Sequence, residues 1–253
     1  MTGRKRSFGC NGFTLVEILT SIAVMAIMTA MLGTMILTMG HTWRDAQERV
    51  NNFTKARAML DMLDNDLQGG LFRPDLPAFP GGSIEFYTLR PGISTTQPVR
   101  NVSAVGYQIS SNVLQRSDQS YHWSDAVSFG SSATFPTTGT ARATAPGVVD
   151  FKVLFEQEDG TLSSTYSTST TNPTRAIGIT LAVVDDQTML VLSAAQATTL
   201  RAALDGAISQ TRSVKADWEG YLNGGSMNWK SYPAGLGVGL KIFERYVILP
   251  NAT

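Results

Sequence analysis

The sequence predicts an α+β protein in which one long amino-terminal helix precedes an antiparallel β-rich head. Three patterns predict it. Phe13 to Met39 is a 27-residue run whose only charge is Glu17. Val50, Phe53, Ala56, Leu60, Leu63 and Leu67 then recur at steps of three and four, the spacing of one helix face. Beyond Gly69-Gly70, short runs of β-branched and aromatic residues alternate with Pro, Gly, Ser and Asn clusters, a pattern of antiparallel strands rather than βαβ units.

The helix is expected from Phe13 to Gln68, 56 residues and about 84 Å if straight. Residues 13–39 are long enough to cross a bilayer, which takes about 20 apolar residues. Arg4, Lys5 and Arg6 precede them with no acid among residues 1–12, which places the amino terminus in the cytoplasm and the remainder outside. Residues 40–68 read as an amphipathic stalk. Lys55, Arg57, Asp61, Asp64 and Asp66 lie off its apolar stripe and are expected on a wet face. Gly33 weakens the helix locally, and Gly69-Gly70 stops it.

Residues 69–253 form the head. Pro74, Pro77, Pro80 and Gly81-Gly82 make a loop, and strands follow at 84–89, 102–109 and 113–115. The last two form a hairpin through Ser110-Ser111-Asn112. The Ser, Thr, Gly and Pro of residues 130–146 predict irregular chain. Val148–Phe155 and Ile177–Val184 are strands either side of a Ser/Thr tract at 162–174, and Thr188–Leu192 reads as a short strand. Ser193 and Gln196 have the spacing of a capping box. The helix they open is carried by Leu200, Leu204, Ile208, Trp218 and Leu222 to Asn223-Gly224, so a helical insertion is expected near 193–222. Lys241–Leu249 is the last strand. Neither an internal repeat nor a linker divides the head.

Composition narrows the function. The 253 residues carry 20 basic and 20 acidic side chains, and 16% charge is below the roughly 25% of soluble domains. Neutrality disfavours a nucleic-acid partner, which calls for a basic surplus. One cysteine, Cys10, excludes a disulfide framework and any CxxC site. A secretory signal would be shorter and end in a small-residue cleavage site, whereas His41, Trp43, Arg44 and Asp45 follow this run. Cys10 follows RKRSFG, which is no lipobox. A plain anchor leaves Glu17 unexplained, since a carboxylate in a spanning segment costs about 2.5–3.5 kcal/mol and marks a functional site.

Gly12-Phe13-Thr14-Leu15-Val16-Glu17, followed by Ile18 and Leu19, resembles the prepilin processing motif of type IV pilins and type II secretion pseudopilins. The resemblance implies a pilin-like fold and cleavage after Gly12 by a membrane-embedded prepilin peptidase. It further implies N-methylation of Phe13, and Glu17 as the assembly carboxylate. The new amine would lie four residues, one helical turn, from Glu17, available to it or to a neighbouring subunit. Loss of residues 1–12 removes Cys10 and three basic residues, leaving 17 basic against 20 acidic side chains. The resemblance places the chain in a bacterial inner membrane with a periplasmic head, its partners being the peptidase, other pseudopilins or pilins, and the membrane.

Ala104–Gln108 with Val113-Leu114-Gln115-Arg116 is similar to a hairpin of J-type minor pseudopilins, as are Asp159-Gly160 and Pro173-Thr174-Arg175-Ala176-Ile177 in their positions. The long stretch from Ser193 to Gly239 departs from that pattern. It and the closing Phe243-Glu244-Arg245-Tyr246 resemble prepilin-type proteins of the Verru_Chthon cassettes. A minor pseudopilin is the first reading. The alternative is a type IV or competence minor pilin with an adhesive or binding head.

Enzymatic signals are sparse. Ser124, His122 and Asp125 adjoin in sequence, whereas a triad draws its members from separate elements. Two histidines leave no zinc cluster, so no metal, cofactor or catalytic residue is assigned. Calcium at Asp185-Asp186, or at Glu156, Glu158 and Asp159, competes with solvated strand ends. Gly235-Leu-Gly-Val-Gly239 lacks the lysine of a phosphate loop and reads as a flexible loop. Trp43 is expected at a membrane interface, Trp123, Trp218 and Trp229 in packing, and Arg116 in an ion pair within the sheet.

Overall fold

The computed structural model describes residues 14–73, 76–80, 83–92, 102–121, 143–211 and 213–249. They form the expected α+β layout, a long apolar helix followed by antiparallel sheets. Two compact units divide the chain at Gln47/Glu48. Helix α1, Leu15–Gln68, contributes to both. From Leu15 to Gln47 the described residues of the first unit are this helix, and its apolar residues are exposed.

In the second unit, β1 (Ile84–Thr88), β2 (Val102–Ser110), β3 (Val113–Tyr121) and β4 (Ala143–Pro146) form one sheet in that order. A second sheet has the order β6-β5-β7-β8, from β5 (Val148–Gln157), β6 (Leu162–Ser163), β7 (Thr174–Val184) and β8 (Leu240–Ile248). Every pairing is antiparallel. The β2–β3 hairpin turns through Ser111 and Asn112, both with positive φ, the conformation that two-residue hairpin loops require. Chain passes between the sheets at Gly147, φ 85°, where a Cβ would lie 2.7 Å from the Val184 carbonyl oxygen. That carbonyl-lined corner admits only glycine.

The α1 stripe is the seam of the main core. Ala56, Met59, Leu60, Leu63 and Leu67 are buried with Phe72, Phe79 and Phe86, with Tyr107 and Leu114 of the first sheet, and with Phe151, Ile177, Ile179, Leu181 and Val183 of the second. Val50, predicted to share this stripe, is exposed, and the Phe53 side chain lies outside the described residues. A second core covers the other face of the second sheet. There Ala182, Val184 and Leu240 meet Leu200, Leu204, Trp218, Met227 and Leu236. β7 is therefore buried on both faces, which is why its sequence is a continuous apolar run rather than an alternating one.

Five expectations of secondary structure need correction. Thr188–Leu192 is not a strand: α2 (Asp186–Val191) is a helix because Asp185 caps it, accepting hydrogen bonds from the Thr188 backbone N and Oγ1 at 2.7 and 2.8 Å. The single helix expected from 193 to 222 is two, α3 (Ala194–Gly206) and α4 (Val214–Asn223). The Ser193–Gln196 capping box and the Gly224 stop are present. Gly206 ends α3, Gln210 takes a positive φ, and Ser213 caps α4. β3 runs six residues past Gln115, to Tyr121, because the whole length of β2 pairs with it. Leu236–Gly239 is a short helix, α5, instead of a flexible loop. Of the segment 130–146, residues 143–146 are strand and the rest lies outside the described residues, as do His122, Trp123, Ser124 and Asp125.

One buried carboxyl is poorly satisfied. Asp150 is 2% exposed at an irregularity of the β5–β7 register. Its Oδ1 accepts from the Phe151 backbone N at 2.8 Å, and Oδ2 has no partner among the described residues. Burial, then Asp205 on α3, pushes its pKa up to about 7, while Lys152, the Phe151 N–H and Arg201 pull it down. The folded head thus holds a proton that the unfolded chain releases near the ordinary value of 3.8. Stability is expected to fall as pH rises from about 4 to about 7, by on the order of 4 kcal/mol. Asp150→Asn should remove that slope and raise stability above pH 7, measured by urea unfolding of residues 48–253 across pH. An unchanged slope in the variant would clear Asp150 of it.

Candidate functional site: the amino-terminal helix and its anchor in the head

Both ends of α1 are built around carboxylates, in opposite environments. At its start, Thr14 caps the helix: the Glu17 backbone N donates to Thr14 Oγ1 at 3.3 Å and to Thr14 O at 3.0 Å. Glu17 is the acid of the first turn. An acid there complements the helix dipole. Within Leu15–Arg44 an 18-residue window reaches a mean hydropathy of 2.2 and nothing is buried, so the helix is long and apolar enough to cross a membrane. Leu15 is 78% and Met39 73% exposed. The hydroxyls along this stretch do not oppose insertion. Thr20, Ser21, Thr29, Thr34, Thr38 and Thr42 each donate to a backbone carbonyl three or four residues earlier, at 2.7–3.0 Å. Their polar hydrogens are satisfied within the helix, as lipid requires. No such internal solution exists for Glu17, and no ion pair reaches it among the described residues. Gly12 and Phe13, the expected cleavage pair, lie outside those residues.

Within the head, α1 carries a second acidic series, and here the wet-face expectation fails. Asp66 is 4% exposed. It accepts from Arg116 Nε at 2.6 Å, Arg116 Nη2 at 3.2 Å and Tyr107 Oη at 2.6 Å. Arg116 also donates through Nη1 to Asp118 Oδ1 at 3.2 Å. Tyr107 and Arg116 are direct cross-strand partners in the β2–β3 hairpin, so the hairpin presents both to one carboxylate. Burial, then Asp66, holds the Tyr107 phenol well above its usual pKa, which keeps it a donor. Burial would lower the Arg116 guanidinium, but Asp66, Tyr107 and Asp118 more than offset that. Earlier on the helix, Arg245 of β8 binds Asp61, both half-exposed, and the more buried Asp64 at 2.5 Å. Lys55 meets Asp186 at 2.6 Å. Periodicity could flag these acids as polar positions but not their strand partners, which lie 41 and more residues away.

The remaining candidates are structural where they can be seen. Asp185 caps α2, Glu158 pairs with Arg175 at 3.8 Å, and Asp159 accepts from Thr161. Among the described residues no group of three or more His, Cys, Asp or Glu is arranged to hold a metal ion. At the glycine cluster, a Cβ on Gly239 would overlap the Asp185 carboxylate, so the space beside it carries negative charge and does not suit phosphate. Trp218 is fully buried and donates from Nε1 to Leu204 O at 2.9 Å, tying α4 to α3. Trp43 is 76% exposed beside the apolar stretch.

Residues 8–33 match the family described as the prokaryotic N-terminal methylation motif. No curated protein matches the chain. The matched motif, on a single helix able to span a membrane and followed by a pilin-like α+β head, points to a pilin- or pseudopilin-type structural subunit.

Two classes of ion pair hold α1 to the sheets, and they should respond differently to mutation. Arg116→Ala strands the buried Asp66 and is expected to cost about 3–5 kcal/mol. Arg245→Ala should cost less, about 1–2 kcal/mol: Arg245 and Asp61 are half-exposed, and the more buried Asp64 keeps the Gln68 Nε2 hydrogen bond. Urea unfolding of residues 48–253 checks both, since both cores lie between Ala56 and Leu249 and need nothing from the span.

Proposed function

We propose that this chain is a minor pseudopilin-like subunit of a type II secretion or type IV pilus-like filament, matured by prepilin peptidase. Cleavage after Gly12 frees the Phe13 amine, which is then N-methylated. The mature subunit sits in the inner membrane with its amino terminus toward the cytoplasm and its head in the periplasm. Filament growth packs the exposed apolar helices side by side, and Glu17 pairs with the amino group of a neighbouring subunit. The observation that carries this reading is the methylation motif on an unburied apolar helix whose lone carboxylate, Glu17, has no ion pair among the described residues. In low dielectric an unmatched carboxylate is expensive, so the pairing selects one register of assembly.

The minor-pseudopilin assignment is supported by the hairpin Ala104–Arg116, whose Leu114 and Arg116 are both buried against α1-side partners. Nothing in this role calls for catalysis, a metal or a cofactor, and a slightly acidic mature chain gives nucleic acid no basic surface.

Mass spectrometry of the protein recovered from membranes should show N-methyl-Phe13 as the first residue, and an intact Met1 would refute processing. Glu17→Ala should leave cleavage intact and lower recovery in sheared filaments at least several-fold. Wild-type assembly of that variant would overturn the role given to Glu17.

A further inference from the structure

The head exposes two apolar patches, one at each end of the β7–β8 pair. At the Val184/Leu240 end α2 and α5 are in contact, since a Cβ on Gly239 would come within 2.9 Å of Thr188 Oγ1. There Leu190 is 88%, Val191 62% and Val238 60% exposed. They are held firmly, because Thr188, Leu192 and Leu236 of the same turns are buried and Asp185 caps α2. At the Ala176/Ile248 end, Ile248 is 73% and Tyr246 43% exposed. The Tyr246 ring lies flat on Gly178, where a Cβ would come within 3.0 Å of it. Clustered apolar exposure of this kind marks a contact surface.

The two patches carry opposite charge. Beside the first, Lys230 and Lys241 are exposed, whereas Asp186 is paired with Lys55 and Asp185 is buried. The Trp229 ring lies about 3.5 Å from where a Cβ on Gly237 would be, which sets the neighbouring Lys230 beside α5. At the second patch the register places Glu156, Ala176 and Ile248 side by side on one face of β5, β7 and β8. Glu158 and Asp159 follow in the adjoining turn, both exposed, with Arg175 at 3.8 Å from Glu158. Burial, then Glu244 and Glu156, raise the pKa of the Tyr246 phenol, as an anionic surround does.

Geometry limits what can cover them. Leu240 and Ile248 bound β8, about 27 Å apart at the usual strand rise, so the two patches of one head cannot meet. Opposite charge favours contact between unlike patches of two copies. Such a heterologous contact leaves one patch of each kind free at every step and therefore repeats. Its direction suits a filament. Within this unit Lys55 of α1 reaches Asp186 at the first end, and Asp64, later on the helix, reaches Arg245 midway along β8. This part of α1 thus runs along β8, and stacking heads end to end keeps its direction the same in every copy.

We propose that the Leu190/Val191/Val238 surface of one head docks on the Tyr246/Ile248 surface of a second copy, with Lys230 and Lys241 facing Glu156 and Glu158. The inference goes beyond the filament reading by naming which head surfaces meet. It rests on residues 48–253 alone and does not depend on cleavage, on the span or on Glu17.

The test uses the full chain on a Cys10→Ser background, in membranes of cells that co-express two differently tagged copies. One copy carries Leu190→Cys and the other Ile248→Cys, and copper phenanthroline is added as oxidant before solubilisation. Mixed disulfide dimers should form at least several-fold more than dimers of either variant expressed alone, and a chain carrying both cysteines should give a ladder. Lys230→Glu with Lys241→Glu on the Leu190→Cys copy should lower the mixed dimers several-fold. Glu156→Lys with Glu158→Lys on the Ile248→Cys copy should then restore them, and an unchanged yield after the first reversal would refute the charge match. Dimers through Leu190→Cys alone or Ile248→Cys alone, in place of mixed ones, would show like patches meeting and overturn the proposal. Absence of mixed dimers overturns it too: with sheared filaments recovered normally the filament reading survives, and without filaments both fail. Mixed dimers in the absence of filaments would support the contact and count against that reading.

Discussion

The head is organised around the carboxylate of Asp66. It sits on α1 where the helix is sealed under the first sheet, and a lone charge there would be strongly destabilising. Arg116 makes it tolerable, and Tyr107, directly across the hairpin from Arg116, completes its hydrogen bonding. Both donors must arrive together. A one-residue slip of β2 against β3 would turn one of them to the opposite face, so the ion pair fixes strand register as well as helix position. The end of α1 is then tied in by backbone: Thr88 Oγ1 donates to Asp66 O, Leu89 N to Gly69 O, and Leu71 N to Tyr87 O. The Arg245 contact adds orientation from the second sheet and less free energy than the fully buried pair, since Arg245 and Asp61 are half-exposed while Asp64 is largely sealed.

Glu17 and Asp66 show two solutions for a carboxylate on one apolar helix. Asp66 finds its cation inside the same chain, through a hairpin folded around it. The Glu17 carboxylate has no ion pair among the described residues, on a segment whose hydroxyls are satisfied internally. Removing the cost of that carboxylate requires something outside the helix. The proposed assembly supplies it with an amino group, which makes the same physics that stabilises the head locally drive association between subunits.

The stretch from Ser193 to Gly239 also has a plain structural use. The second sheet would otherwise expose Ala182, Val184 and Leu240 on its outer face, and α3, α4 and α5 bury them. Trp218 bridges two of these helices at zero exposure. A side effect is the strained electrostatics at Asp150, which this cover seals in against Asp205 with Arg201 and Lys152 nearby.

Much of the protein was legible from sequence because the relevant signals are local. Apolar length and basic flanking residues define the span, periodicity defines the Ala56–Leu67 stripe, and the Ser193/Gln196 cap and Gly224 stop mark helix ends. Glu17 stood out for a similar reason, being one charge in 27 residues. Where two local signals competed, the sequence was ambiguous: Thr188–Leu192 is a short apolar run that reads as a strand, and the Asp185 side chain folding back decides for helix. What no local pattern carries is long-range partnership. Asp64 and Asp66 look like solvent-facing acids until tertiary folding brings Arg245 and Arg116 across 181 and 50 residues to meet them. Sequence by itself determined the long apolar helix and the lone carboxylate in it, because helix period and hydrophobic length act over a few turns. Only the tertiary structure decided the division into two sheets, the double burial of β7 and the pairing of the α1 acids, because each depends on desolvation by residues distant in the chain.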